Sequence, residues 1–486
     1  MRAIKVLTLV VLLGPVFGPN TVCADPQETR YWDERDSGPY GVDYSLESRS
    51  ALGAHHLCSG LWVVGRVTER SVEDVLAEDI TPFRAFGWEP AFEYKVDRER
   101  RSVTVQAPGG PERTARYNGD QGCSILPLGG DIHFTPVTVE RNLPEAATTP
   151  WPMGDADASR PMPTGVDSNV MDEALNWAMD QEEHNTRGIV VVYDGKIVGE
   201  RYAPGWTKDT PQISWSEGKS ITAALMGILS QAGHFTVDDP APIKEWQGAG
   251  DARSGIFIRD LMRMSSGLDF ANLGLTGPES YTTENEHMRI YTGGLDVFAH
   301  SVNQPPEIPP NTEWRYRNSD PLTLGKIVRD TVETDGGDYL KFAQEALFDR
   351  IGARNFVLET DAWGNFIMTG YDYGSTRDWA RFGLLHLWDG EWEGERILPE
   401  GWVDFISTPA PADLSRTYGG MFWLNRGGAM SRIPEDAYWA SGFMGQTTMV
   451  IPSRNMVVVR MGPSPQGSDQ YFDEFVGRVL EAIPHS

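Results

Sequence analysis

The feature that most constrains this chain is a pair of β-hairpin signatures set far apart along it. The first is Ile189-Val190-Val191-Val192-Tyr193, then Asp194-Gly195, then Lys196 to Tyr202: two strand-like runs around a dipeptide suited to a two-residue turn. The second comprises Gln446–Ile451 and Met456–Met461 around Pro452-Ser453-Arg454-Asn455. Helical patterns border both. Asp167 is placed to cap a helix carrying Val170, Leu175, Trp177 and Ala178, and a last helix is predicted from about Tyr471 to Ile483. Strands near both ends with helical sequence between them predict an α+β fold, an antiparallel sheet flanked by helices with a helical insertion. No internal repeat is visible.

The first 24 residues differ in character. Arg2 and Lys5 precede a mainly apolar run from Val6 to Phe17, and Val22-Cys23-Ala24 fits signal-peptidase cleavage before Asp25. A periplasmic or secreted location follows. The apolar run is short for a membrane span, and Val22 is bulky for lipid attachment at Cys23. Cleavage leaves Cys58 and Cys123, expected to form a disulfide worth about 4 kcal/mol in the chain-entropy model. His55-His56-Leu57-Cys58 resembles part of a metal site but lacks a second ligand cluster. Residues 25–164 are expected to be a β-rich N-terminal region, with strand-like runs at Gly60-Leu61-Trp62-Val63-Val64 and Ser102-Val103-Thr104-Val105. A Pro-rich linker is expected between Leu143 and Gly165, and a second unit from 165 to 486. With 42 Lys and Arg against 69 Asp and Glu, the net charge of −27 disfavours a nucleic-acid partner. No further segment reads as a transmembrane span, and the sequence assigns no oligomeric state.

The chemistry is concentrated after Pro211. Ile213-Ser214-Trp215-Ser216 passes from extended to helical, and Ile221, Leu225, Ile228 and Leu229 form one apolar stripe. Ser216 then sits at a helix start with Lys219 one turn on, on the same face. A serine hydroxyl needs a nearby proton acceptor to become a nucleophile, and a desolvated lysine can serve. Gly218-Lys219-Ser220 also matches the tail of a phosphate-binding loop, but position 213 is Ile where that loop requires glycine.

Further along lies Tyr316-Arg317-Asn318, in a turn-rich loop before the helical run Leu322–Val332. Ser-x-x-Lys followed by Tyr-x-Asn resembles the serine β-lactamase and penicillin-binding-protein superfamily, most closely its class C-like esterases and 6-aminohexanoate-dimer hydrolases. Val237-Asp238-Asp239-Pro240, Ser265-Ser266-Gly267-Leu268, the 374–383 segment and Ile397–Trp402 support the resemblance, which spans about residues 167–486. It implies a β-lactamase-like fold and a serine hydrolase forming an acyl-enzyme on Ser216, with Lys219 and Tyr316 sharing proton transfer and Asn318 orienting the substrate or Lys219. Ala440-Ser441-Gly442 aligns with the third motif, where the antibiotic-linked members carry a basic residue; its absence points to an ester or amide substrate without the corresponding anion. The N–H groups of Phe443 and Ser216 are the expected oxyanion donors, and Gly442 leaves room for substrate. Tyr281, Tyr291, Trp363 and Trp439 are candidate pocket walls, and His287 and His386 are read as structural. No metal or organic cofactor is implied. A penicillin-binding enzyme, D-aminopeptidase or β-lactamase would use the same site; a non-catalytic envelope-binding protein is the alternative of another class, and a metallohydrolase the weakest.

Overall fold

The computed structural model describes residues 29–31, 45–86, 92–159, 161–270, 286–464 and 469–484. The expected signal segment, Cys23 and Tyr281 lie outside them. Both hairpins form. Strands Gly188–Tyr193 and Lys196–Tyr202 pair with Tyr193 opposite Lys196, and Asp194 (φ 50°) and Gly195 (φ 70°) adopt the left-handed conformations of a type I′ turn. Strand Met456–Met461 pairs with the outer edge of Gly188–Tyr193, placing Val458 opposite Val191. Gln446–Ile451, Tyr438–Gly442 and Trp423–Leu424 complete a six-stranded antiparallel sheet.

Its central strands are covered on both faces, which explains their unbroken Val-rich runs. Helices Ser168–Met179 and Asp469–Glu481 pack on one face, Thr376–Leu387 on the other, where Gly218–Gln231 adjoins Tyr438–Gly442. Asp167 caps the first of these helices, accepting from the N–H groups of Asn169 (2.9 Å) and Val170 (3.2 Å). Its own N–H donates to the Ala482 carbonyl at 2.9 Å, so the start of the first helix and the end of the last meet at one seam.

The N-terminal region contains a five-stranded antiparallel sheet in which Ser102–Gln106 takes up the expected Ser102–Val105 run. The other expected strand, Gly60 to Val64, is instead the end of a helix, Leu46–Trp62, followed by a 3₁₀ turn. Every residue from Ser50 to Leu61 is buried, so packing around the helix overrides the strand preference of its Trp and Val residues. Gly60 is required by close approach, since a Cβ there would lie 2.5 Å from a Val75 methyl.

Cys58 and Cys123 are bonded, joining this helix to the sheet. One buried carboxylate then ties both to the remainder of the chain. Glu359 accepts from Ser59 Oγ (2.8 Å) and from the Cys123 N–H (2.7 Å), and lies 2.8 Å from His55 Nε2, which is also hydrogen-bonded to the Cys123 carbonyl (3.1 Å). His55 thus faces a carboxylate from a distant segment. Nor does the Pro-rich stretch hang free as a linker: Trp151 is buried, Arg381 donates to the carbonyls of Pro152 (2.7 Å) and Gly154 (2.9 Å), and Arg354 donates to those of Pro144 (2.6 Å) and Met153 (2.8 Å). Burial opposes ionisation of Asp155, but Lys208, Arg381 and Arg377 hold its carboxyl well below the usual range.

Replacing Glu359 by Ala strands two buried donors at once, Ser59 Oγ and the Cys123 N–H. The Glu359→Ala variant is expected to lose about 3 kcal/mol of unfolding free energy. Denaturant titration checks this, and a loss below about 1 kcal/mol would show that the junction does not depend on it.

Candidate active site

The segment before the buried helix Gly218–Gln231 is a 3₁₀ turn, Trp215–Glu217, rather than the α-helical start expected at Ser216. Trp215 is held at φ 53°, a conformation costing a non-glycine residue about 1–3 kcal/mol. The turn is held by Ser214, whose N–H donates to the Asp372 carbonyl (2.8 Å) while its hydroxyl donates to the Asp372 carboxyl (2.6 Å). Ser216 Oγ and Lys219 Nζ are 2.7 Å apart. Burial lowers the Lys219 ammonium to about 7, with Asp372 opposing that shift only in part. Asp372 is itself raised by burial to about 7, and Glu217 is pushed well above the usual carboxyl range by burial, so neither is a full counter-ion at neutral pH.

Tyr316 completes the cluster. Its ring lies 4.7 Å from Lys219 Nζ and its phenol interacts with Ser216, while burial pushes its ionisation well above that of a free tyrosine. The loop carrying it is fastened by the Ser265–Leu268 turn. Glu307 N–H (2.9 Å) and Ile308 N–H (3.1 Å) donate to the Gly267 carbonyl, Asn311 N–H to that of Ser265 (2.7 Å), and Arg315 N–H to that of Met264 (3.0 Å). Ser266 Oγ donates to Asp320 at 2.6 Å, and Arg317 donates to the Leu268 carbonyl.

Ser216 and Tyr316 open on a cavity of about 790 Å³, with Lys219 buried behind Ser216. Ser216, Tyr316, Ser441, Gly442 and Phe443 line it, as does Tyr291 of the expected aromatics. Gly442 has no room for a side chain, because a Cβ would lie 1.9 Å from the Ser214 carbonyl oxygen. Asn318 does not line the cavity. It is fully buried behind it, donating to the Tyr291 hydroxyl at 2.9 Å and lying 3.1 Å from His287 Nδ1. His287, expected to be structural, is part of the cavity wall, lowered to about 3 by burial and by Lys219. Neither Trp363 nor Trp439 reaches the cavity: Trp363 stacks on His133, and Trp439 packs in the core on the opposite face of the sheet. His386 is buried in its helix beside Phe382, lowered to about 4 by burial.

Several wall residues carried no sequence signal. Trp215, Trp314 and Trp423 supply aromatic surface, Glu307, Glu313 and Arg315 form an ion-paired edge, and Leu52 and Phe83 come from the N-terminal region. Trp215 is next to Ser216 and Trp314 two residues before Tyr316, which was the only available clue.

Gly267 sits at φ 77°, and a Cβ there would lie 2.1 Å from the Ile308 carbonyl oxygen. Gly267→Ala is therefore expected to lower the thermal midpoint through a destabilisation of about 2 kcal/mol or more, read by calorimetry.

Comparison with known proteins places this arrangement. The beta-lactamase family model matches residues 171–474. The 6-aminohexanoate-dimer hydrolase of Paenarthrobacter ureafaciens is 21% identical over 330 residues, covering 62% of this chain and 80% of that one. A family VIII carboxylesterase structure superposes with a TM-score of 0.52 at 15% identity, over 65% of this chain and 97% of that one. A penicillin-binding protein homologue from Caulobacter crescentus gives 0.50 at 12% identity, over 65% and 97%. With the family model matching more than half of its length, the chain belongs to the beta-lactamase family and is a serine hydrolase.

Proposed function

We propose that the protein is an exported hydrolase that cleaves an ester or amide through an acyl-enzyme on Ser216. The observation carrying this reading is the 2.7 Å contact between Ser216 Oγ and a fully buried Lys219 whose ammonium is lowered to about 7. A substantial share of Lys219 is then neutral at physiological pH and can take the serine proton. Ser216 Oγ attacks the substrate carbonyl carbon, its proton passes to Lys219 Nζ, and the carbonyl electron pair moves to oxygen. The N–H groups of Ser216 and Phe443 stabilise that oxyanion. On collapse the bond to the alcohol or amine breaks, and the leaving group takes a proton from Tyr316, which Lys219 replaces. Burial keeps the phenol protonated, favouring Tyr316 as acid and Lys219 as base. Water repeats the sequence in reverse roles and frees the acid.

Ala440 is buried and places no cation in the cavity, which supports a substrate without the carboxylate recognised by the antibiotic-linked members. The name of the Paenarthrobacter relative and the carboxylesterase likeness support amides and esters as the class. The leader-like first 24 residues and the Cys58–Cys123 bond support export.

Intact mass after fluorophosphonate treatment tests the nucleophile. One adduct at Ser216, absent from Ser216→Ala, is expected; no adduct on folded protein would overturn the reading. Because neutral Lys219 is the working form, kcat/KM is expected to rise about tenfold per pH unit below about 7 and to level off above it. Tyr316→Phe is expected to lower kcat by about 10²–10⁴-fold, with fluorophosphonate labelling of Ser216 retained, as steady-state and labelling assays will read.

A further inference from the structure

The matched family segment begins at residue 171, yet two residues of the cavity wall precede it by a wide margin. Leu52 lies on the helix Leu46–Trp62 and Phe83 on the turn Thr81–Phe86. Both are almost fully buried, at 3% and 5% exposure, so their placement is set by packing rather than by solvent.

The aromatic residues of the cavity fall into two groups. Phe83, Trp215 and Phe443 form one, with ring centroids 5.7–6.2 Å apart, and Tyr291 joins it 6.2 Å from Trp215. Trp314, Tyr316 and Trp423 form the other, Tyr316 being 5.4 Å and Trp314 6.1 Å from Trp423. Ser216 stands between them, next to Trp215 in sequence and 2.7 Å from Lys219 Nζ, which lies 4.7 Å from the Tyr316 ring. The ion-paired side chains of Glu307, Glu313 and Arg315 lie on the same loop as Trp314 and Tyr316.

If Tyr316 protonates the leaving group, that group points toward Trp314, Trp423 and the charged edge. The acyl group then points the other way, toward Phe83, Phe443 and Leu52. We infer that the N-terminal region forms the end wall of the acyl pocket, and that Leu52 and Phe83 set the length of an uncharged, apolar acyl chain. The assignment of the two sides rests on the proposed proton path through Tyr316.

The wall is built to stay in place. The helix bearing Leu52 is fixed by Cys58–Cys123 and by Glu359. The Phe83 turn follows Asp79, whose carboxylate accepts from Arg187 at 2.9 Å and from Arg70. Arg187 in turn lies 4.1 Å over the Trp206 ring, beside the first strand of the central sheet. A rigid apolar end wall discriminates by chain length, because a methylene group without space or without contact changes binding about tenfold or more.

Two variants of opposite sign test this. Phe83→Leu lengthens the pocket and Leu52→Phe shortens it. With p-nitrophenyl butyrate and octanoate, Phe83→Leu is expected to raise the octanoyl-to-butyryl ratio of kcat/KM about tenfold, and Leu52→Phe to lower it by a similar factor. The same shifts are expected in the relative affinities of octanamide and butanamide for Ser216→Ala, measured by calorimetry, which needs no chemistry at Ser216. Ratios unchanged within about twofold in both assays would overturn the wall. A shifted amide ratio in a protein that takes no fluorophosphonate would uphold the wall and overturn Ser216 as the nucleophile.

Discussion

A lysine kept out of water against a serine hydroxyl is the constraint around which this molecule is arranged. An ammonium in that position loses hydration that Asp372, itself raised to about 7, restores only in part, so the neutral amine becomes accessible near neutral pH. Holding the group there requires a helix buried from Gly218 to Leu229, and the packing is close. A Cβ on Gly218 would lie 2.3 Å from the Asp372 carboxyl, and one on Gly227 2.9 Å from Trp402 and Leu398. Ser220 donates to the Met421 carbonyl at 2.7 Å, locking the same turn to the segment before the sheet's edge strand. The helix is therefore a buried post with the serine–lysine contact at its beginning.

The second element of the site depends on a different device. Tyr316 belongs to no regular element, and its loop is registered by backbone carbonyls of the 264–268 turn instead. Asp320, raised to about 6 by burial against the pull of Arg317, receives Ser266 and so joins that turn to the helix following Tyr316. A loop held by four main-chain bonds is fixed almost as firmly as a strand, which suits a phenol that must keep its distance from both serine and lysine.

How much of this was legible in the sequence follows from which residues had local signals. Both hairpins, the capped first helix and the Ser216–Lys219 pair were readable because turn chemistry, capping and helical spacing are encoded within a few residues. Gly218-Lys219-Ser220 looked like part of a phosphate loop, and the structure supplies another reason for its glycine in the approach of Asp372. Asn318 was legible as a motif member but not in its placement, since nothing local says that it supports Tyr291 from behind. The helix Leu46–Trp62 was missed over Gly60–Val64 because a helix buried all round has no polar face to reveal its period. Leu52 and Phe83 were missed for the same reason, their part in the cavity being fixed by contacts hundreds of residues away.

The seam between Asp167 and Ala482 has a bearing on how the chain acquires this structure. Gly188–Tyr193 is the first strand of the central sheet in chain order, yet its neighbour Met456–Met461 follows it hundreds of residues later. Until then the early hairpin presents an unpaired, Val-rich edge, and the buried post has no sheet to lean on. Such distant pairing slows folding and leaves an adhesive edge exposed during the wait. The same closure brings the first and last helices of the sheet's cover within one hydrogen bond of each other, so the body is nearly a ring in space. A chain reordered to begin beyond that seam would keep every contact of the sheet while making those two strands near neighbours in time.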